Sequence, residues 1–279
     1  MIRIFISLVV LFSVFPSLGA EGDEVVFDST IESVVSLYRA RFPKPLVINK
    51  DWYDPSLNGI IKEHSDRYQL DIAGGLMRVK NLTLDGFTFL ICHEVGHILG
   101  GAPIYGEKAL VPEDEFLAVE GQADYWAANK CFKKFLQGKD NIGFVAAFSE
   151  KFKESFKFKD TIKKSGPLCR EKWSTAEEVA ICQRTLFAGH SFARTIRVWT
   201  MEKEWININT PATKIATETF PYHPLAQCRF DTVLAGSMCT LSLQNINQAG
   251  DVWAGNCNRK DGFMDSARPR CWFKPPSED

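Results

Sequence analysis

Apolar residues along the chain recur in blocks whose period switches between helical and strand-like. Over residues 21–41, Val25, Val26, Ile31, Val34, Val35 and Leu37 recur at roughly helical intervals and predict a packing helix. Leu46-Val47-Ile48 reads as a short strand, closed by the turn-rich Asp54-Pro55-Ser56-Leu57-Asn58-Gly59. Tyr68, Leu70 and Ile72 alternate with Gln69 and Asp71, the period of a half-buried strand, and Gly74-Gly75 ends or bulges it. Residues 84–99 follow as an apolar helix stopped by Gly100-Gly101, with Pro103 just beyond.

A second long helix is expected from Pro112 to about Leu136. Proline suits the first helical position, and Glu113, Asp114 and Glu115 complement the positive end of the helix dipole. Phe144, Phe148, Phe152 and Phe156 then recur every four residues among Lys151, Lys153 and Lys157, a core-facing aromatic stripe with a solvated basic back. Ser174 and Glu177 fit a capping box that opens a helix through Ile196. Residues 205–219 read as irregular, Pro224 precedes a helical pattern over 225–241, and the tail is loop-like.

Composition narrows the function classes. The chain has 279 residues, with 33 Lys+Arg against 34 Asp+Glu, 45% hydrophobic and 24% charged residues, an ordinary globular balance. A formal net charge of −1 argues against nucleic acid as the partner, because phosphate binding relies on clustered excess cation. The first twenty residues differ from the rest: Arg3, an apolar run over 4–15, Pro16, then Ser17-Leu18-Gly19-Ala20. This pattern reads as a signal peptide cleaved after Gly19 or Ala20 rather than an uncleaved anchor, since a twelve-residue helix at about 1.5 Å per residue is too short for a ~30 Å hydrocarbon core. No other apolar run is long enough to span, so the mature chain is expected to be exported, periplasmic or secreted, without a stable membrane span.

All eight cysteines lie beyond that leader, and their even number points to disulfides in an oxidising compartment. If the segment around Cys228 and Cys239 is helical, about 16 Å of axis separates them, too far for a bridge. Cys169 with Cys182, and Cys257 with Cys271, are the local pairs expected. No C-x-x-C pair supports a zinc ribbon.

The chemistry concentrates in His93-Glu94-Val95-Gly96-His97. On a helix, residues four apart are rotated by about 40°, so both imidazoles point to one place and can share a metal ion. Glu94 lies on the same broad side, placed to take a proton from a water activated by that metal. A catalytic zinc site usually takes three protein ligands. The candidate third is Glu120, four residues before Asp124 on the second helix, with Asp124 accepting the Nδ1–H of a ligand histidine. Gly96 and Gly121 sit inside the two helices and imply that these approach closely there. His64 and His190 have no ligand partner at useful spacing and read as structural.

These residues carry a resemblance. HExxH followed by a helix with E-x-x-x-D resembles the gluzincin metallopeptidases, the group that contains thermolysin. Glu120-Gly-Gln-Ala-Asp124 with Ala127 resembles the E-x-x-A-D-x-x-A helix of the HtpX-like and CAAX-prenyl-protease-like metallopeptidases. His223-Pro224-Leu-Ala-Gln-Cys-Arg229 is similar to their H-P-x-x-x-x-R motif. The resemblance covers roughly residues 68–239, with 22 residues between His97 and Glu120, nearer thermolysin-like spacing.

It implies that His223 and Arg229 lie near the metal. His223 is then a donor to the developing oxyanion, or else a fourth ligand holding a latent form. Arg229 and Tyr222 become substrate or transition-state contacts, with Tyr105 a further donor. It also implies that the strand over 68–73 is the edge strand on which an extended substrate pairs. The expected fold is an α+β, mainly helical zincin with a small antiparallel or mixed sheet before the HExxH helix. It forms one domain over 21–279, with a metal-binding core at about 66–137, a helical continuation at about 141–241 and a cysteine-containing tail over 242–279. The expected function is zinc-dependent endopeptidase hydrolysis of polypeptides with one Zn2+ per chain. A zinc-stabilised peptide-binding or chaperone-like module without turnover is the alternative.

Overall fold

The protein is described from a computed structural model over residues 19–276. The expected leader lies outside those residues, except that Gly19 and Ala20 open the first helix, α1 (Gly19–Ser36). Phe27, Ile31, Val34 and Val35 of α1 are fully buried, whereas Val25 and Val26 face solvent. The helical period therefore places one apolar stripe against the core and leaves two of the expected valines outside.

Three strands follow: β1 (Leu46–Asp51), β2 (Gly59–Glu63) and β3 (Tyr68–Ala73). They form a mixed sheet in the order β1-β3-β2, with β1 parallel and β2 antiparallel to β3. The fold is thus α+β with a small mixed sheet. The sequence reading made β3 the edge strand, and the structure corrects this. β3 is central, its Tyr68, Leu70 and Ile72 all buried, and β1 and β2 are the edges. β2 had no clear sequence signal because only Ile60 and Ile61 follow the turn residues.

Helix α2 (Leu84–Leu99) has the expected bounds. The Thr83 side chain caps it by accepting from Gly86 N, and every residue from Asp85 to His97 is buried. The helix expected from Pro112 does not form there. Pro112 opens only a single 3-10 turn, Pro112–Asp114, and α3 (Glu120–Trp126) begins eight residues later. Tertiary pairing takes the backbone in between: Ala118 N donates to His97 O at 2.7 Å, Val119 N to Pro103 O at 3.0 Å and Tyr105 N to Leu117 O at 2.9 Å. From α3 the chain passes through a π-helical turn, Ala127–Cys131, into α4 (Phe132–Leu136).

In α5 (Asn141–Phe152) the aromatic stripe packs inward, with Phe148 stacked on Phe187 at 4.6 Å. Phe156 departs from that stripe, lies outside the helix and is exposed. Helix α6 (Lys159–Arg170) was not anticipated, since its sequence is mostly polar and carries Pro167. Helix α7 (Ala176–Trp199) is opened by a capping box on Thr175 and Glu178, one residue beyond the expected pair. Helix α8 (Ala226–Met238) leads into a tail with one further 3-10 turn, Arg259–Asp261.

Four disulfides join these pieces: Cys92–Cys131, Cys169–Cys182, Cys228–Cys271 and Cys239–Cys257. The Cys169–Cys182 pairing agrees with the sequence expectation, and Cys228 and Cys239 avoid each other. Cys257–Cys271 does not form, because the tail wraps back onto α8 and offers each of these cysteines a partner at one end of that helix. Among the described residues, no helix is long and apolar enough to cross a membrane.

Candidate metal centre

Helices α2 and α3 cross at Gly96, where a Cβ would meet Ala123 O at 2.8 Å, so the missing side chain permits the approach. Gly121 serves a different contact from the one expected: its bare face receives the Trp272 ring from the tail, not α2. Cys92–Cys131 staples α2 to the chain following α3, one residue before His93. The two helices are thus held by close packing and a covalent tie.

The crossing brings His93, His97 and Glu120 together. All three are buried, and one ligand atom from each lies within 4.8 Å of the others. His93 Nε2 is 3.2 Å from His97 Nε2 and 3.4 Å from Glu120 Oε2, and His97 Nε2 is 3.7 Å from Glu120 Oε1. Two donors each about 2.0–2.1 Å from a tetrahedral zinc ion stand about 3.3 Å apart. The spacing therefore fits a small divalent cation without rearrangement.

The polar partners fit as well. His97 Nδ1 lies 2.7 Å from Ala118 O and His93 Nδ1 2.8 Å from Asp124 Oδ1. With both imidazoles neutral, as a metal ion would require, a proton on each Nδ1 satisfies those acceptors and leaves both Nε2 lone pairs facing one point. Glu120 Oε2 is buried with no hydrogen-bond partner. Without a cation, the second proton of His93 and the Arg229 guanidinium, its Nη2 3.4 Å from Glu120 Oε2, offset the cost of that buried oxygen; a divalent ion among the three side chains would take the place of the proton.

The charges follow from this setting. Burial alone disfavours the imidazolium of His93, but the Asp124 and Glu120 carboxylates overcome it and raise the pKa to about 10. His97 faces a neutral carbonyl, so burial prevails and lowers it to about 4. Burial also works against ionised Glu120, yet the two imidazoles and Arg229 hold its carboxyl well below the usual range.

Glu94 lies beside the cluster, pushed up to about 7 chiefly by burial, and its Oε2 accepts the Ile61 N–H of β2 at 3.0 Å. Asp114 does the same one register step along, its Oδ1 accepting from Glu63 N at 3.0 Å. Two amides on the free side of β2 are thus capped by carboxylates.

Arg229, expected near the substrate, is 1% exposed. Its Nε and Nη2 grip Asp124 at 2.7 and 2.8 Å, a two-point pairing, and Nη2 also lies 3.4 Å from Glu120 Oε2. His223 is on the open side, 48% exposed, with Nε2 3.3 Å from Glu120 Oε1. The adjoining Pro221 O accepts Glu120 N at 3.2 Å, which ties this loop to the start of α3. Tyr105 donates to the same Glu120 oxygen at 3.3 Å. Tyr222 lines the cleft, but its hydroxyl donates to Lys108 O at 3.0 Å and points away from the ligands. His190 is remote from the cluster, buried and hydrogen-bonded to Thr161, and burial lowers its pKa to about 3.

Four features had little or no signature in the sequence. Ala118 O and Ile61 N are backbone groups, and any residue supplies them. Asp114 looked like a helix-dipole residue and instead caps a strand. The Asp124–Arg229 pair joins positions 105 residues apart, and only the spacing of Arg229 after His223 hinted at it.

The chain matches no protein-family model, no curated protein and no solved structure.

Proposed function

We propose that this protein is a zinc-dependent peptidase of the gluzincin kind, built on a zincin-like helix pair and acting on polypeptides outside the cytoplasm. The observation that carries the proposal is the 3.2–3.4 Å spacing of His93 Nε2 to His97 Nε2 and to Glu120 Oε2, beside Glu94 at the base of a cleft of about 300 Å³. Two imidazoles and one carboxylate are a donor set suited to zinc and leave a position for water. A divalent ion held there supplies Lewis acidity, lowering the pKa of a coordinated water and polarising a peptide carbonyl.

The chain's own groups do the rest. Asp124 and Ala118 O orient the two imidazoles, and Arg229 anchors Asp124. Glu94, raised to about 7, is matched to taking a proton from the attacking water and returning it to the leaving amine near neutral pH. His223, on the open side, is placed to donate to the oxygen of the scissile carbonyl as negative charge develops there. Four disulfides accord with an oxidising, exported setting.

Glu94→Gln tests the reading. Hydrolysis of an unfolded protein substrate should fall by about 10²–10⁴-fold, while elemental analysis still finds one zinc per chain. Cleavage at the wild-type rate would refute it. A second reading, a zinc-held module that binds peptides without cutting them, is favoured by one contact: Glu94 is already occupied by Ile61 N–H. Peptide binding by wild type with no cleavage at any pH between 5 and 9 would establish that alternative.

A further inference from the structure

A second cavity, of about 580 Å³, lies in the tail and shares no lining residue with the cleft. Arg259, Arg268, Arg270 and Lys274 line it, together with the apolar surfaces of Ile215, Trp253, Met264 and Phe273. Among the described residues no Asp or Glu lines it. The acids of residues 250–276 are turned to other partners. Asp265 pairs with Lys172 at 3.1 Å, Asp251 accepts from Trp253 N at 2.8 Å, and Asp261 accepts from the Asn258 side chain at 3.1 Å. Four cations therefore share a space without a counter-charge, in a chain whose formal net charge is −1.

Arg268 is the most constrained of the four, only 1% exposed. Its Nη1 donates to Gln122 Oε1 at 3.0 Å and Ala102 O at 3.3 Å, and its Nη2 to Val252 O at 2.6 Å and Asn258 Oδ1 at 3.2 Å. All four acceptors are neutral. Nε has no partner, and the guanidinium lies 3.9 Å from the centre of the Phe273 ring. Burial works against this charge and lowers its pKa. A buried cation held only by dipoles, with a donor unused, is costly, and an anion in the cavity offsets that cost.

The walls are tied in place. Ala216 N donates to Arg270 O and Phe220 N to Trp272 O, each at 2.8 Å, while Cys239–Cys257 and Cys228–Cys271 fasten the stretch to α8. A preformed cavity with apolar walls and a few charged groups is the usual form of a small-ligand site. Planar guanidinium forks suit an oxyanion, and aromatic walls suit an apolar body.

We propose that this cavity binds a small organic oxyanion, a carboxylate or phosphate carried on an apolar body, with Arg268, Arg270 and Lys274 meeting the charge and Trp253 and Phe273 the body. The peptidase reading is not needed for it.

Calorimetry on the full chain with naphthoate, naphthyl phosphate, naphthalenemethanol and inorganic phosphate tests the site. Each naphthyl anion that fits should bind at least about tenfold more tightly than the neutral alcohol or inorganic phosphate. The tighter of the two identifies the head group. The double change Arg270→Gln and Lys274→Gln should weaken that anion by about tenfold and leave the alcohol unaffected. Both residues are exposed, so the change is compatible with folding, and neither lines the cleft, so the loss separates this site from anion binding at the metal cluster. Arg268→Gln should weaken the anion further.

No binding of either anion, equal affinity for anions and alcohol, or affinity unchanged by the double change would overturn the proposal. Glu278 and Asp279 lie beyond the described residues. Binding seen only after Glu278→Gln and Asp279→Asn would make the occupant the chain's own acidic residues and would overturn the proposal too.

Discussion

On the floor of the cleft the ionisable side chains are buried and most meet a partner of opposite charge, whereas the rim side chains are largely exposed and carried by loops or by the last residue of α7. His93, Asp124 and Arg229 form one such chain on the floor, with contacts of 2.7–2.8 Å between neighbours. The rim is made by His223, Trp199, Tyr222 and Leu110, the last 84% exposed. The contrast teaches that the two parts answer to different constraints. Buried charges are expensive, so the floor tolerates little change and sets the electrostatics of the metal ligands. Rim groups stay solvated, so they are free to act on what enters.

If that contrast holds, Arg229→Met has the largest effect on the fold. It strands the Asp124 carboxylate without its guanidinium, and chemical denaturation should show a loss of about 3–5 kcal/mol. A loss below about 1 kcal/mol would mean that the floor is not held by this pair.

On the rim, His223→Ala should leave stability within about 0.5 kcal/mol of wild type and lower turnover by about 10²-fold if the imidazole stabilises the oxyanion. Raised turnover would instead make His223 a latency ligand. Unchanged turnover would remove it from the chemistry.

Asp124→Asn probes the floor more gently, with a fall in metal affinity of about 10–100-fold. It also carries a pH signature. Metal-free His93 holds its second proton up to a pKa of about 10, so at pH 8 an incoming cation must displace it. Binding at pH 8 should therefore release a proton, and apparent affinity should climb as pH rises towards 10. In Asp124→Asn the larger cause of the raised pKa is gone, Glu120 alone remaining, and that release should shrink, which calorimetry in buffers of differing ionisation enthalpy measures.

The smallest effect belongs to Asp114→Ala, which frees the Glu63 amide at a cost of about 1 kcal/mol or less. Hydrogen exchange at that amide should quicken while zinc content stays at one per chain.

The floor was the more legible part of the centre. His93 and His97 share a face because helix geometry is local, and α2 occupies the expected residues. Asp124 lies against the His93 imidazole, as the four-residue step from Glu120 led one to expect. Errors gathered where long-range pairing overrides local preference. The acidic run after Pro112 has every mark of a helix start, yet residues 115–119 pair with α2 and with the chain after it, and α3 waits until Glu120. Arg229 lies beside the cluster, as its spacing after His223 implied, but its two-point pairing with Asp124 had no local signal.

Local order, then, was written in the residue pattern: the apolar helix, the alternating strand, the pair of imidazoles, the separation that keeps Cys228 from Cys239. Tertiary structure alone decided which strand lies between the other two, three of the four disulfide pairings, the carbonyl that orients His97 and the face that α7 lends to the cleft. The physical reason is that the first set depends on rotations between neighbouring residues. The second depends on contacts between segments far apart in the chain, several of them through backbone atoms that are the same in every residue.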